Sequence, residues 1–211
     1  QYLIKLYKNN VYPNIRGNIF IKTNGLNYNN KKILPIGSIS NITTFLTNEG
    51  GFYPIIETDE HGFNNPKGLY RKNLVDIMIT GDSFSEGYSV KQNESVSFLL
   101  NKANYKTISL GKAGFGSLFQ LASIKEYAEP IQPKILLWFF YYNDLDDLKN
   151  EMNSDILLKY LKNKNFTQNL INKQEIIDLL YRNYHEEVVR QEDKLRKSGK
   201  DKKIENINIF K

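Results

Sequence analysis

Three short runs in this sequence carry residue types that acyl chemistry needs. The first is Gly81-Asp82-Ser83-Phe84-Ser85-Glu86-Gly87, which follows the apolar run Asp76-Ile77-Met78-Ile79-Thr80. A serine between a buried strand and a helix has its hydroxyl at the sheet's carboxyl edge. The backbone N–H groups that open the helix point outward, where they can bind an anion. That is half of an acyl-transfer site, a nucleophile beside donors for a developing oxyanion. Gly81 lets the backbone turn tightly. A plainer reading competes, in which Asp82 or Ser83 only caps a helix after an ordinary turn. Recurrence argues for chemistry: Thr107-Ile108-Ser109-Leu110 runs into Gly111-Lys112-Ala113-Gly114-Phe115-Gly116, and the apolar run 135–142 ends at Asn143-Asp144.

These runs need elements to position them. The patterning predicts strands over 76–80, 107–110 and 135–142. It predicts helices over 94–102, with Val96, Leu99 and Leu100 on one face, and over 117–128, closed by Pro130. The third strand is apolar throughout, as strands covered on both faces are. Strand–helix–strand–helix–strand implies an α/β fold, a parallel sheet with helices on both faces, whose ligands bind beyond the carboxyl ends of the strands. Residues 148–198 read as helical, broken at 163–172. The helix over 175–197 carries Ile177, Leu180, Tyr184, Val188 and Leu195 at helical spacing. Its other face pairs Glu186/Arg190, Glu192/Arg196 and Asp193/Lys197, and Gly199 is placed as a C-cap. Residues 1–72 are rich in Asn, Gly and Pro and read as an irregular β-rich arm with short strands at Ile19-Phe20-Ile21 and Ile33-Leu34. The expected organisation is therefore an arm over 1–72 and an α/β domain over 73–211.

In this order the three runs resemble the first three blocks of the SGNH/GDSL hydrolase superfamily, over roughly residues 53–150. Thr58-Asp59-Glu60-His61-Gly62-Phe63-Asn64-Asn65-Pro66 resembles a segment that precedes the first block in some bacterial members. The resemblance implies a three-layer, flavodoxin-like sheet. It assigns Ser83 as nucleophile, and the Gly114 N–H and the Asn143 side chain as oxyanion donors beside the Ser83 N–H. It implies an esterase or O-acyltransferase, bacterial, acting on short acyl esters of small molecules or carbohydrates, without a cofactor. The family's fourth block, Asp-x-x-His, is not found. His185 lies in Arg182-Asn183-Tyr184-His185, with no aspartate three residues earlier, and reads as a surface helix residue. His61 lies in the arm and reads as a loop residue. A chain opening on Gln1 and closing on Ile204–Phe210, which reads as the start of another element, is expected to be truncated before its catalytic histidine. The competing expectation is a non-catalytic relative that keeps the pocket.

Composition narrows the alternatives. The 211 residues are 40% hydrophobic and 25% charged, which is ordinary globular usage. The net charge of +6 is spread along the chain, with no clustered basic face for nucleic acid. The absence of cysteine excludes disulfides, thiolate metal sites and a cysteine nucleophile, and a count of two histidines argues against a multi-histidine zinc site. No secretory signal is visible, and no apolar run approaches the ~20 residues of a membrane helix. Gly111-x-x-Gly114-x-Gly116 departs from the dinucleotide fingerprint, and no Walker sequence occurs. Ser85 stands where a lipase-type elbow needs glycine. Asp82, Asp144, Asp146 and Asp147 could be arranged around a metal, but acids at a helix start complement its dipole more simply.

Overall fold

The computed structural model describes residues 11–197. The arm supplies β1 (Tyr12–Pro13), a 3-10 turn (Gly17–Phe20), and the strands β2 (Leu26–Tyr28), β3 (Lys31–Ile33), β4 (Thr43–Phe45) and β5 (Ile55–Glu57). Strands β2 and β3 form a hairpin, while β4 lies between β1, parallel to it, and β5, antiparallel. Ile19-Phe20-Ile21, expected as a strand, is instead 3-10 helix and turn. The tight turn buries Phe20 against the rings of Tyr181 and Tyr184, and its neighbours stay half-buried.

From Ile77 the chain alternates strand and helix. Strand β6 (Ile77–Thr80) leads into α1 (Ser83–Glu86), and a 3-10 turn (Gln92–Glu94) leads into α2 (Val96–Lys102). Strand β7 (Thr107–Ser109) is followed by α3 (Ser117–Ser123), and β8 (Ile135–Trp138) by α4 (Asp144–Glu151), α5 (Asp155–Lys162) and α6 (Gln174–Lys197). The three strands form a parallel sheet in the order β7-β6-β8, with Met78 paired to Ile108 on one side and Leu136 on the other. The connections leave β6 in one direction and return in the other, so right-handed crossovers put α2 and α3 on opposite faces. The fold is mixed α/β, with all three polar runs at the carboxyl ends of the strands. Among the described residues no helix is long and apolar enough to cross a membrane.

Three local expectations change. Helix α2 docks through Ser97, which donates to Asn64 O, and Asn101, which bonds Thr107 at both N and O; Leu99 faces solvent. The helix after β7 does not stop before Pro130. A π-helical turn (Ile124–Ala128), closed by Glu129 N–H to Ile124 O, widens the backbone and carries it through Glu129–Ile131. Pro130 lies within this continuous run, directly after the π-helical turn, where the regular i to i−4 ladder is already interrupted. Strand β8 is not covered on both faces. It pairs with β6 alone, and Leu136 and Trp138 are 40% and 47% exposed, because among the described residues nothing lies beyond this edge. Its apolar composition gives its preference for burial, not its neighbours.

One main core joins arm and sheet. Ile15, Phe20, Leu34, Ile36 and Phe63 pack with Met78, Ile108, Phe119, Tyr160 and Tyr181. The face of α6 expected to be apolar is buried at Ile177, Leu180 and Val188, and Arg190 pairs with Glu187 on the outside. The Leu195 side chain, the two pairs beyond Gln191, Gly199 and Ile204–Phe210 lie outside the described residues. Buried Glu126 closes the helical side by accepting from Tyr160 Oη and from the N–H groups of Gln168 and Leu170. Removing that carboxylate strands three donors, each costing about 1–3 kcal/mol. Glu126→Ala is therefore expected to lower unfolding free energy by about 3 kcal/mol or more in urea titration. An unchanged midpoint would show the clasp to be dispensable.

Candidate active site

Thr80 ends β6 buried, and Asp82 caps α1 by accepting from Phe84 N at 3.0 Å. Ser83 is thereby the first residue of a helix at the carboxyl edge of the central strand. The strand ends meet closely: a Cβ on Gly81 would come 2.9 Å from Phe139 O, at the end of β8. The Ser83 hydroxyl is half-buried. Phe84 beside it is 65% exposed and stacks at a tilt on Tyr141, 5.1 Å between centroids, so an aromatic rim flanks the serine.

The loop after β7 is held against this turn by a buried ion pair. Glu86, at the end of α1, accepts from Lys112 Nζ at 3.2 Å, Ala113 N at 2.8 Å and Asn14 Nδ2 at 2.7 Å. Both members of the pair have fully buried side chains. Gly114 then turns with φ of +75°, a left-handed conformation that disfavours a side chain, and a Cβ there would collide with Asn18 Nδ2. Arg16 Nη1 donates to Ala113 O and Asn18 Nδ2 to Gly114 O, so the arm braces this loop from outside. Among the described residues, neither the Ser83 N–H nor the Gly114 N–H has an acceptor.

Asn143 stands at the N-cap of α4, beside Asp82. The Asp82 carboxyl is raised by burial and by neighbouring Asp144, against the Phe84 N–H and the Asn143 amide, which lower it. Asp144 is buried, and its Oδ2 reaches back to accept from Tyr141 N at 2.9 Å in the loop before the helix. Burial also raises Asp147, helped by Asp144, Asp82 and Asp146 and opposed by Arg16. Among the buried side-chain atoms without a hydrogen-bond partner among the described residues are four acceptors on these loops and the adjoining arm: Asn18 Oδ1, Asp82 Oδ2, Asn143 Oδ1 and Asp144 Oδ1. Asp146 points out and pairs with Lys149, and no group of three or more His, Asp or Glu among the described residues could hold a metal.

The structure brings Ser83, Gly114 and Asn143 to three abutting loops. Neither histidine joins them. His61 packs edge-on against Tyr70 and Tyr127, and burial holds its pKa down against the pull of Glu60. His185, expected at the surface, is 3% exposed on the inward face of α6, and burial lowers it too. The nucleotide alternative meets an obstacle: the N–H groups of Gly116 and Leu118, which open α3, are taken by the Glu151 carboxylate at 2.6 and 2.8 Å. The segment 58–66 works as a clasp. Asp59 accepts from His61 N, Phe63 N, Asn65 Nδ2 and Tyr70 Oη, and Asn65 bonds Ser109 at N and O in β7. Burial lifts Asp59 to about 6 even so.

Reading from sequence missed Asn14, Arg16, Asn18, Glu86, Lys112 and Glu151. Only the alternation Asn14-Ile15-Arg16 hinted at a polar edge on the arm. Compared with known proteins, the chain matches no family model, no curated protein and no solved structure. Fold and site thus define an α/β chain with a serine at the edge of a parallel sheet and, beside it, two backbone donors that have no acceptor among the described residues.

Breaking the buried pair should be costly, since a lone buried charge typically costs 3–5 kcal/mol. Lys112→Met is expected to lower stability by about that much in denaturant titration. The double variant E86Q/K112M should lose less than the sum of its singles, because neither charge is left stranded. Additive losses would show the two groups to be uncoupled.

Proposed function

We propose that this chain is an SGNH-type serine esterase or O-acyltransferase unit in which Ser83 is the nucleophile. One observation carries the reading: three consecutive strand-end loops abut, with no acceptor among the described residues for the N–H groups of Ser83 and Gly114 and with the Asn143 amide beside the Asp82 carboxyl. Both residues are half-buried, so their N–H groups are within reach of a bound molecule, and a pair of such donors beside a serine suits an oxyanion. In the proposed reaction Ser83 Oγ attacks the ester carbonyl carbon and gives up its proton. Negative charge collects on the carbonyl oxygen, which accepts from Ser83 N–H, Gly114 N–H and Asn143 Nδ2. The C–O bond to the alcohol breaks, and the alcohol leaves with a proton. Water or a second alcohol then attacks the acyl-serine and releases Ser83. Short acyl esters of carbohydrates or other small alcohols fit a site open at the strand ends beside aromatic rings. The three-layer arrangement of the SGNH fold belongs to the same proposal, supported by the strand order β7-β6-β8.

A second reading rests on the histidines. Both are packed away from Ser83, and a serine without a base stays protonated and weakly nucleophilic. On that reading the loops form a pocket that binds an ester or anion without turning it over. A fluorophosphonate probe separates the two in the full-length protein. The esterase reading expects covalent labelling that Ser83→Ala abolishes and that Asn143→Ala slows by about 100-fold, the typical cost of one oxyanion donor. Labelling at the wild-type rate in Asn143→Ala would remove that residue from the site. No labelling at all would favour the binding module.

A further inference from the structure

We infer that Glu151 is a positioning residue that clamps the loop carrying Gly114 onto the helix headed by Asn143, so that the two oxyanion donors are held as one unit. The inference rests on the acyl-transfer reading of Ser83. Glu151 ends α4, two turns beyond Asn143, and is 1% exposed. Its carboxylate spans the gap to α3, with Oε1 accepting from Gly116 N at 2.6 Å and Oε2 from Leu118 N at 2.8 Å. Gly116 lies two residues after Gly114 and is pressed onto α4: a Cβ on it would come 2.8 Å from Leu148 N and 2.9 Å from Asp147 Cβ. The same carboxylate satisfies the positive end of α3. Gly114 and Asn143 sit on separate loops after separate strands, and this is the hydrogen-bonded link from the body of α4 to the loop bearing Gly114.

The clamp depends on ionisation. A carboxylate accepts at both oxygens, whereas the protonated acid keeps one carbonyl acceptor and a hydroxyl that must donate. Burial raises Glu151 to about 7, against the lowering by the N–H groups of Leu118, Gly116 and Phe119, and Asp147 on the same helix adds to the rise. From α3 it is faced by backbone N–H groups, and Arg16 of the arm acts on Asp147. The folded value lies above the ordinary one. Glu151 therefore favours the fold most at low pH, and that contribution is lost as pH rises through about 7. The two-armed clamp runs the other way: it is complete above about 7 and opens as pH falls.

The test follows the amide resonances of Gly114 and Gly116 by NMR, and the rate of Ser83 labelling by a fluorophosphonate, from about pH 6 to about pH 8 in wild type and Glu151→Gln. In wild type both amides should shift with one midpoint near 7. The labelling rate should rise about 10-fold from the lower pH to the upper, the change in ionised fraction for one group centred there. Glu151→Gln mimics the protonated acid, so its amides should not follow that midpoint and its labelling should be slow even at the upper pH. The wild-type amides need no variant and keep the test open should Glu151→Gln fail to fold. A wild-type Gly116 amide without a midpoint near 7, or wild-type labelling in Glu151→Gln at every pH, overturns the inference. A clear Gly116 midpoint with no labelling of either protein upholds the clamp and overturns the acyl-transfer reading on which its role rests.

Discussion

The candidate site depends on one buried carboxylate. Glu86 lies beneath the turn that presents Ser83 and accepts from Lys112 and Ala113 in the next strand-end loop and from Asn14 in the arm. Burying a charge is costly, and an ion pair recovers that cost only with good geometry and satisfied lone pairs. Here three donors converge on two oxygens, and Lys112 also lies over the ring of Phe63 at 5.6 Å. An apolar core could have been as stable, but it would not have fixed the direction in which Gly114 turns. The pair specifies a register between loops, the role for which buried ion pairs are best attested.

The same logic recurs around the sheet. Asp59, Glu126 and Glu151 are each buried, and each accepts from two backbone N–H groups: Asp59 within its own loop, Glu126 from Gln168 and Leu170, and Glu151 from Gly116 and Leu118. Short strands and broken helices leave many backbone donors outside regular ladders, and a buried donor must be paired. Carboxylates do that with two oxygens each. In the arm they replace the strand pairing that its Asn- and Gly-rich sequence does not supply. In the sheet they tie together the loops that a three-stranded core leaves loose.

Much of the α/β core was legible because its signals are local. Strand β6 with its glycine-aspartate-serine turn, β7 with its glycine loop and β8 with Asn143 are apolar runs ended by turn residues, and these need only their neighbours to be read. The braces were not legible. Glu86, Lys112 and Glu151 look like solvated charges until partners up to 98 residues away enclose them. His185 could have been caught: it falls on the stripe of Ile177, Tyr181 and Val188, and helical spacing alone predicts its burial. The exposure of β8 could not, since composition shows what a strand prefers to touch and not what lies beside it.

The central claim is that three strand-end loops form one oxyanion site around Ser83. The most direct measurement is a crystal structure of the full-length protein after reaction with a fluorophosphonate. The account predicts a phosphorus bonded to Ser83 Oγ in place of fluoride, with its phosphoryl oxygen about 3 Å from Ser83 N, Gly114 N and Asn143 Nδ2. An adduct on another residue, or an oxygen turned away from Gly114 and Asn143, would contradict it.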